Sequence, residues 1–307
     1  RAIRRADRNM LICAHDHHLR TIEAVREYGL CDHIALDAAE AAKGADLIVL
    51  CTPFSAFEEL CTQLAPAVEA GAIISDVASM KLPVVTLFER LLPDHVHKIP
   101  AHPVAGTEHS GVGAGFAELF DNRFCIITPA DHGEIQPVAR LRDFWQMLGA
   151  EVEVMDAKAH DQILAVTSHL PHLLAYALVG TAAGFEVEYN TSSPTHPKAG
   201  SDARAEQAEA VSPGIIKFSA GGFRDFTRIA SSSPIMWRDV FLHNREPVLN
   251  LLERFEHDLD RLKQAIIRGD GTMLLEWFTH TRKLRQSVVR MGQAGRFVPT
   301  ETESKDQ

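Results

Sequence analysis

The sequence predicts an α/β domain with a parallel sheet in its first half and an all-helical domain in its second half. Up to about residue 155, short apolar runs alternate with helical segments, which is the pattern of βαβ units. After residue 156 only long helical patterns follow, and they carry more apolar positions than one packing layer requires. The length of 307 residues leaves room for about two domains.

Strands and helices are predicted to alternate through the first half. The predicted strands lie at residues 10–14, 46–51, 72–76, 97–101, 123–128 and 151–155. The predicted helices lie at residues 2–6, 19–28, 38–43, 55–68, 82–91 and 135–148. Gly29 and Gly44 follow two of these helices, where glycine commonly ends a helix. This order is typical of a Rossmann-type nucleotide-binding domain.

The first strand of such a domain and its glycine-rich turn are missing from this sequence. In the Rossmann strand order the first strand is central, and its turn supplies the N–H groups that cradle a pyrophosphate. Because a sheet cannot easily lose a central strand, we expect the sequence to begin inside the first helix of a longer protein. The alternative is a real N-terminal deletion with a rearranged sheet. Direct pairing of the strands at 10–14 and 46–51 would contradict our expectation.

Asp16 is a candidate ligand for the ribose of a nucleotide cofactor, because it follows the strand at 10–14. A carboxylate there accepts hydrogen bonds from a ribose with free hydroxyls and repels a 2′-phosphate, so it favours NAD over NADP. An aspartate after a strand is also an ordinary turn residue, and that alternative stays open. Thr52 and Pro53, which end the strand at 46–51, are further candidate cofactor-binding residues.

His102 is the candidate catalytic residue. It follows the strand at 97–101, at the carboxyl edge where α/β sheets bind ligands. Pro103 and Gly106 then turn the chain away. Imidazole titrates near neutrality, so this side chain can accept or donate a proton. A structural histidine is the ordinary alternative for one histidine among 16.

The long helix predicted at 157–184 contains a proline that should kink it. Pro171 lacks a backbone N–H and so leaves one carbonyl of the preceding turn without its partner. Ser168 and His172 lie four residues apart and therefore share one helix face beside the kink. That face could line a cleft or could form a polar seam between packed helices.

Residues 186–209 are polar and are predicted to form a surface loop. After them, the segment GGFRDFTR at 221–228 sets two glycines beside Phe and Arg, which suggests backbone brought close to a ligand. Arg228 could clamp a carboxylate with two parallel hydrogen bonds, and a solvated surface arginine is the ordinary alternative.

Two more helical stretches, at 234–267 and 273–289, favour dimerisation through helices. The polar residues 292–307 are predicted to form a mobile tail. The predicted organisation is therefore a nucleotide-binding domain at 1–155, a helical substrate-binding and dimerisation domain at 156–291, and the tail.

The composition excludes several classes of protein. Asp and Glu number 41 against 31 Lys and Arg, and this acidic balance argues against a nucleic-acid surface. No apolar run approaches the roughly 20 residues that span a bilayer, so a membrane partner is not expected. The five cysteines form no CxxC pair, which indicates reduced thiols in a cytoplasmic protein and no metal site.

Four motifs in order carry a resemblance to a known family. They are DVASMK at 76–81, HPVAGTE at 102–108, SHLPH at 168–172, and GGFRDFTR at 221–228 continuing to MWRD at 236–239. Together they resemble the prephenate/arogenate (cyclohexadienyl) dehydrogenase family of tyrosine biosynthesis. The resemblance implies a Rossmann domain followed by an all-helical dimerisation domain. It also implies an oxidoreductase that uses NAD to decarboxylate prephenate to 4-hydroxyphenylpyruvate, arogenate to tyrosine, or both.

The resemblance also implies a role for each matching residue. His102 resembles the catalytic histidine that accepts the proton of the substrate's ring hydroxyl. Ser79 resembles the serine that orients this histidine and lies by the nicotinamide, and Arg228 resembles the arginine that grips the ring carboxylate. Asp16 corresponds to the acid that favours NAD. The positions matching the lining of the substrate pocket are His172, Ser168, Thr107, Gly221 and Trp237.

Two features depart from the family pattern, and two other functions stay open. The glycine-rich phosphate loop is absent, and the insertion at 186–210 is longer than usual for the family. One alternative is another NAD-dependent dehydrogenase of the β-hydroxyacid type, which uses a lysine where SHLPH has none. The other is a catalytically silent dimer that binds tyrosine-like ligands. The preference between prephenate and arogenate, and feedback inhibition by tyrosine, are not decided by any single residue.

Overall fold

The structure is a computed structural model that describes residues 1–107, 109–130, 134–192 and 216–290, with the backbone only at 186–192 and 289–290. Three features of the sequence analysis lie wholly or mostly outside the described residues: Glu108, the insertion at 186–210 and the tail at 292–307.

The strands of the described chain form three small sheets. They are β1 (Cys13–Ala14), β2 (His33–Ile34), β3 (Leu47–Leu50), β4 (Ile73–Asp76), β5 (His97–Lys98), β6 (Ala101–Pro103), β7 (Phe124–Ile127) and β8 (Glu151–Val154). The orders are β1-β2, β3-β4-β5 and β6-β7-β8. All pairs are parallel except β6 with β7, so the expectation of a purely parallel sheet is wrong at this pair.

The pairing of β1 bears on the expected central strand. β1 pairs with β2, and β3 pairs with β4, so the strands predicted at 10–14 and 46–51 are not partners of each other. The pairing that would have contradicted the expectation is therefore not observed. The short strand β2 was not predicted, because two residues give no periodic signal.

The helices follow the predicted order, except that Gly221–Thr227 was not predicted to be helical and the stretch predicted at 234–267 is interrupted at Asn244. They are α1 (Ala2–Ala6), α2 (Leu19–Glu27), α3 (Ala38–Ala42), α4 (Phe57–Leu64), α5 (Leu82–Leu91), α6 (Ile135–Met147), α7 (Ala157–Leu164), α8 (Leu170–Ser192), α9 (Gly221–Thr227), α10 (Pro234–His243), α11 (Arg245–Arg268) and α12 (Gly271–Arg290). Asp156 caps α7 by accepting hydrogen bonds from the N–H groups of Lys158 and Ala159 at 2.9 and 3.0 Å.

The strand predicted at 97–101 is divided in two, β5 and β6, with Ile99 and Pro100 between them. The Ile99 N–H still bonds to β4 at 2.9 Å, whereas the Pro100 carbonyl accepts the N–H of Thr128, just after β7, at 2.9 Å. The strand to which this segment is hydrogen-bonded thus changes from β4 to β7. As a result His102 lies within β6 and not just beyond a strand end.

Two clusters of buried apolar side chains hold these elements together. The first includes Phe57 of α4 and Phe88 of α5, and α10 contributes Trp237 and Val240 to it. The second gathers residues of β7 and α6. Because α10 is part of the first cluster, the compact unit that begins at Arg1 extends to Leu249, and a second unit begins at Asn250. The predicted boundary between 155 and 156 stays a prediction.

A buried ion pair joins β4 to β6 directly before His102. Lys81 Nζ donates to Asp76 Oδ2 at 2.5 Å and to the Ala101 carbonyl at 2.7 Å. Asp76 Oδ1 in turn accepts the Ala101 N–H at 3.2 Å. Both charged side chains are fully buried, so each charge is stabilised by the other in place of the water that it has lost.

The helix predicted at 157–184 contains a π-helical turn at Ala165–His169, between α7 and α8. Pro171 follows this turn and cannot supply the N–H that would close an ordinary α-turn, and the wider turn accommodates that loss. The helix then continues to Ser192, so the expectation that a loop begins at 186 is wrong for residues 186–192.

The helical segment Ala157–Phe185 is long and apolar enough, by length and composition, to cross a membrane. This finding corrects the expectation that no segment approaches that length. Core helices of soluble proteins pass the same test. The segment carries buried His160, Asp161 and His169, which are costly in a lipid environment.

We predict that Lys81→Met destabilises the protein by about 3–5 kcal/mol, because it leaves Asp76 buried without a counter-charge. Urea unfolding at pH 7 measures the change. The matched control is Arg90→Met, which breaks an ion pair with Glu58 whose side chains are 57% and 64% exposed. The control is expected to cost about 0–1 kcal/mol. Equal losses in the two variants would contradict the structural role of the buried pair.

Candidate active site

His102 is a buried histidine whose ring is held by a second histidine. Its residue is 6% exposed and lies in the middle of β6. Its Nδ1 lies 2.8 Å from Nε2 of His160, and the two rings meet edge to face. The ring is therefore anchored on its Nδ1 side, which leaves Nε2 as the nitrogen available to a substrate.

His160 and Asp161 connect this histidine to the start of α5. His160 Nδ1 lies 2.8 Å from Asp161 Oδ1. The same carboxylate accepts the backbone N–H of Lys81 at 2.7 Å and that of Leu82 at 2.9 Å. These N–H groups at the start of a helix have no intrahelical partner, and the helix dipole favours a negative charge there.

Asn244, at the end of α10, closes the network from the other side. Its Nδ2 donates to the Asp161 carbonyl at 2.9 Å and lies 2.9 Å from Nδ1 of His169. His169 Nε2 is buried and has no hydrogen-bond partner among the described residues. Three buried imidazoles thus lie in one polar cluster between the sheet and the helices.

Sequence reasoning missed His160, Asp161 and Asn244. His160 and Asp161 are adjacent, and both side chains are buried although they lie early in α7. Two neighbouring polar residues on the buried face of an amphipathic helix were the available signal. For Asn244 the sequence analysis found no signal, because it predicted one helical stretch at 234–267, which the structure interrupts between α10 and α11.

Burial keeps these histidines neutral. Desolvation, followed by the charges of His160, Lys81 and His169, holds the pKa of His102 well below its usual range. Burial also lowers the pKa of His160, although Asp161 opposes that shift. Burial lowers the pKa of His169 to about 4. At neutral pH the cluster therefore offers lone pairs, which is what a general base requires.

His172, Ser168 and Trp237, which the resemblance implies as pocket residues, lie close together, and their role in a pocket stays a prediction. His172 Nδ1 lies 2.8 Å from the Ser168 carbonyl, and its ring stacks on Trp237 with ring centroids 3.7 Å apart. Trp237 is buried, and its ring also meets that of His169 edge to face at 6.0 Å. These contacts join the second group to the His102 cluster through His169.

Arg228 lies exposed at the start of a 3₁₀ segment, Arg228–Ser231, that packs against α8. Burial lowers the pKa of His172, the Ser168 carbonyl opposes that shift, and the positive charge of Arg228 lowers the pKa further as the smallest of the three effects. The guanidinium is therefore close enough for its field to act on His172. An accessible cation next to a stacked His–Trp pair is suited to an anionic ring substrate.

Three further predicted site residues are Ser79, Thr107 and Gly221. Ser79 is half-buried after β4, with its backbone beside His169. Thr107 is exposed, and its Oγ1 accepts the His109 N–H at 3.3 Å. Gly221 is the first residue of α9, and a Cβ there would meet nothing within 4 Å, so its own chain does not require glycine. The contact that orients His102 at Nδ1 comes from His160, and the orienting role of Ser79 stays a prediction.

Asp16 lines a small cleft with apolar walls. The cleft has a volume of about 90 Å³ and includes Ile22, Val25 and Ile34. Asp16 Oδ1 accepts the His18 N–H at 2.7 Å, which is the turn contact that the alternative interpretation expected. The two interpretations are compatible, since a carboxylate has two oxygens and several acceptor positions.

Thr52 and Pro53 lie just after β3, as predicted. Thr52 Oγ1 is buried without a hydrogen-bond partner among the described residues, and a buried hydroxyl of that kind calls for a bound group or a water. This hydroxyl and the carboxylate in an apolar cleft both fit a nucleotide cofactor with free ribose hydroxyls.

Two family models match the chain. The model for the prephenate dehydrogenase nucleotide-binding domain matches residues 1–154. The model for the prephenate dehydrogenase dimerization domain matches residues 156–202 and 201–280.

Two curated relatives are similar over most of the chain. Cyclohexadienyl dehydrogenase of Zymomonas mobilis is 37% identical over 266 residues, covering 87% of this chain and 83% of the relative. Prephenate dehydrogenase of Bacillus subtilis is 31% identical over 266 residues, covering 86% of this chain and 66% of the relative.

Solved structures agree in fold. Prephenate dehydrogenase from Aquifex aeolicus, in complex with hydroxyphenyl propionate and NAD⁺, has a TM-score of 0.78 at 30% identity, covering 94% of this chain and 92% of that chain. Synechocystis arogenate dehydrogenase has a TM-score of 0.70 at 26% identity, covering 93% of each chain.

We predict that the free energy of unfolding falls as the pH drops from 6.5 towards 4. His169 takes up its proton near pH 6.5 in the unfolded chain but only near pH 4 in the folded one, so the unfolded state binds more protons in this window. The shift from 6.5 to about 4 corresponds to about 3 kcal/mol.

Urea unfolding of wild type and His169→Asn between pH 7 and pH 4.5 measures the effect. Asparagine keeps an acceptor for Asn244 but does not titrate, so the variant should lose less stability on acidification. The exposed His280→Asn serves as the matched control and should follow wild type. If the free energy of unfolding of His169→Asn fell with pH in parallel with that of wild type, the pH dependence would not come from His169.

Proposed function

The chain belongs to the prephenate dehydrogenase family, and from this premise we propose that it catalyses the oxidative decarboxylation of prephenate, of arogenate, or of both. It is an NAD-dependent oxidoreductase of tyrosine biosynthesis. Its relatives include enzymes named for cyclohexadienyl, prephenate and arogenate substrates. Prephenate and arogenate share the reacting ring and differ only in a keto or amino group on the side chain.

NAD, when bound, supplies the hydride acceptor for the ring carbon that carries the hydroxyl. Asp16 holds the ribose hydroxyls and would repel the 2′-phosphate of NADP. Thr52, Pro53 and Ser79 complete the cofactor-binding residues of the proposal. The unpartnered Thr52 hydroxyl supports this assignment, because it lacks a hydrogen bond within the described protein.

His102 is the general base of the proposal. Its Nε2 accepts the proton of the 4-hydroxyl while hydride leaves the same carbon, and loss of carbon dioxide then makes the ring aromatic. Aromatisation makes the reaction effectively irreversible, so the protein needs chiefly one base, one anchor for the carboxylate, and correct positioning. General-base help of this kind is worth about 10²–10⁴-fold in rate.

Arg228 is the anchor for the ring carboxylate. His172, Ser168, Thr107, Gly221 and Trp237 line the rest of the pocket in the proposal. The stacking of His172 on Trp237 supports this part, since it forms a flat aromatic wall within the field of the guanidinium. A ring acid would lie with its carboxylate towards the cation and its hydroxyl towards the buried base.

The observation that carries the proposal is the neutral, anchored imidazole of His102. It is buried, its Nδ1 is hydrogen-bonded, and its pKa lies well below the usual range. A histidine with these properties remains a base at any physiological pH.

A homodimer in the cytoplasm completes the proposal. The match of residues 156–202 and 201–280 to a dimerization domain supports the dimer. Exposed large apolar side chains on α11 and α12 support it too: Leu259, Ile266, Ile267, Leu275, Phe278 and Leu284. Apolar surface of that extent commonly marks an interface. A role in the biosynthesis of a small molecule supports a location in the cytoplasm.

Steady-state assays with prephenate and arogenate, each with NAD and NADP, test the function. We expect activity with NAD, and we expect His102→Asn to lower kcat by about 10²–10⁴-fold. The acid limb of kcat/KM should lie below pH 6.5, because the lowered pKa keeps His102 neutral further into acid. Absence of turnover with either substrate would overturn the proposal.

Arg228→Ala tests the carboxylate anchor. A desolvated charged contact is worth roughly 2–5 kcal/mol, so KM should rise about 30-fold or more, with a smaller change in kcat. The matched control is Arg224→Ala, which removes an exposed arginine one turn earlier on α9. Equal KM values for wild type and Arg228→Ala would exclude the anchor.

A further inference from the structure

We propose that His160, held by Asp161, is a positioning residue that fixes His102 in the tautomer with the proton on Nδ1 and the lone pair on Nε2. The tautomer follows from hydrogen bonds within the protein, and its catalytic consequence rests on the proposed function. His160 itself does not touch the substrate in this proposal. It acts only through the ring of His102.

The argument starts at Asp161, which can only accept hydrogen bonds when ionised. Its Oδ1 accepts the Lys81 N–H and its Oδ2 accepts the Leu82 N–H, at 2.7 and 2.9 Å. The third neighbour is His160 Nδ1, at 2.8 Å from Oδ1. Because the carboxylate is the acceptor in all of these contacts, His160 Nδ1 is the donor and carries a hydrogen.

The second step fixes the other nitrogen of His160. A neutral imidazole with hydrogen on Nδ1 has a lone pair on Nε2, so Nε2 is an acceptor. That acceptor lies 2.8 Å from His102 Nδ1, which must therefore donate. The hydrogen of His102 is thus on Nδ1, and its Nε2 has the free lone pair.

The protonation state of His160 matters, because an imidazolium would reverse the last step. Burial lowers the pKa of His160 in spite of Asp161, and the charge of Lys81 lowers it further while that of Asp76 opposes. Burial lowers the pKa of His102 most, and a positive charge on His160, Lys81 or His169, which face it, disfavours its protonated form as well. Both rings are accordingly neutral near pH 7.

The arrangement is rigid at both ends. Asp161 is anchored to the start of α5, and its own carbonyl accepts from Asn244 at 2.9 Å. His160 is fully buried, so water does not compete for its nitrogens. His102 lies on β6, which is paired with β7 and tied by Ala101 to the buried ion pair. Free rotation of either ring would break a buried hydrogen bond, which is costly.

This tautomer decides what His102 can do. With the hydrogen on Nδ1, Nε2 can accept a proton from a substrate hydroxyl. The opposite tautomer would present an N–H to the substrate, and a wrongly held tautomer is known to cost several orders of magnitude in a hydrolase triad. His160 and Asp161 would therefore set the fraction of His102 that is competent as a base.

A direct measurement of the tautomer needs neither substrate nor cofactor. Long-range ¹H–¹⁵N correlation spectra of the full chain, labelled with ¹⁵N-histidine, distinguish a protonated from a bare ring nitrogen. The His102 signals are assigned by their loss in His102→Asn. We expect Nδ1 protonated and Nε2 bare in the wild type at pH 7. The reverse pattern, or an even mixture, would overturn the proposal.

Two substitutions of His160 separate positioning from simple packing. In His160→Gln the side-chain oxygen can occupy the place of Nε2 and accept from His102. In His160→Asn the amide can only occupy the place of Nδ1, so the contact with His102 is lost. We expect kcat to fall by about 10²-fold or more in His160→Asn but within about tenfold in His160→Gln, with KM little changed in both. Equal losses in the two variants would contradict positioning.

The matched control is His97→Asn, because His97 Nδ1 also lies 2.9 Å from a carboxylate, that of Glu134. It should change neither the His102 spectrum nor kcat. The two proposals fail separately. A protein without turnover whose His102 carries its proton on Nδ1 refutes the function and leaves the tautomer standing. An active protein whose His102 carries its proton on Nε2 refutes the tautomer and leaves the function standing.

Discussion

The carboxylate of Asp161 is the contact on which the site depends. Two backbone N–H groups at the start of α5 hold it, and it in turn orients His160 and thereby His102. The aspartate belongs to α7, whereas α5 and β6 belong to the α/β half. One side chain therefore sets the position of the helical segment and the state of the candidate base. Helix N-termini bind anions well, so this anchor needs no other cation.

Around the Asp161 carboxylate, buried imidazoles are neutral and an arginine at the surface is charged. In the interior, burial keeps the imidazoles of His102, His160 and His169 neutral, and the buried charges of Asp76 and Lys81 form an ion pair. At the surface, Arg228 remains an accessible cation whose field reaches His172. The proposed base inside and the proposed anion site at the rim would suit a substrate whose acid and hydroxyl lie at opposite ends of one ring. Desolvation lowers the pKa of the buried imidazoles, and Coulomb attraction to an anion acts at the accessible guanidinium.

Two prolines shape the site by what they lack. Pro100 faces β7 and has no N–H for that ladder, so only its carbonyl bonds there, and the paired residues of β6, which include His102, begin at Ala101. Pro171 cannot close an α-turn, and the π-turn before it contains Ser168 and His169. Both prolines are visible in the sequence. The partner that each freed segment takes up is decided by elements far away in the chain.

The sequence by itself determined the order of most strands and helices, the bounds of α1 and α5, and most of the residues proposed for the site. These features follow from periodicity, from glycine and proline, and from motifs that are contiguous in the chain. The tertiary structure decided that β7 runs antiparallel to β6, that Trp237 lies beside His172, and that His160, Asp161 and Asn244 surround the base. The physical reason is range: Lys81 and Asp161 are 80 residues apart, and a hydrogen bond between them leaves no local pattern to read.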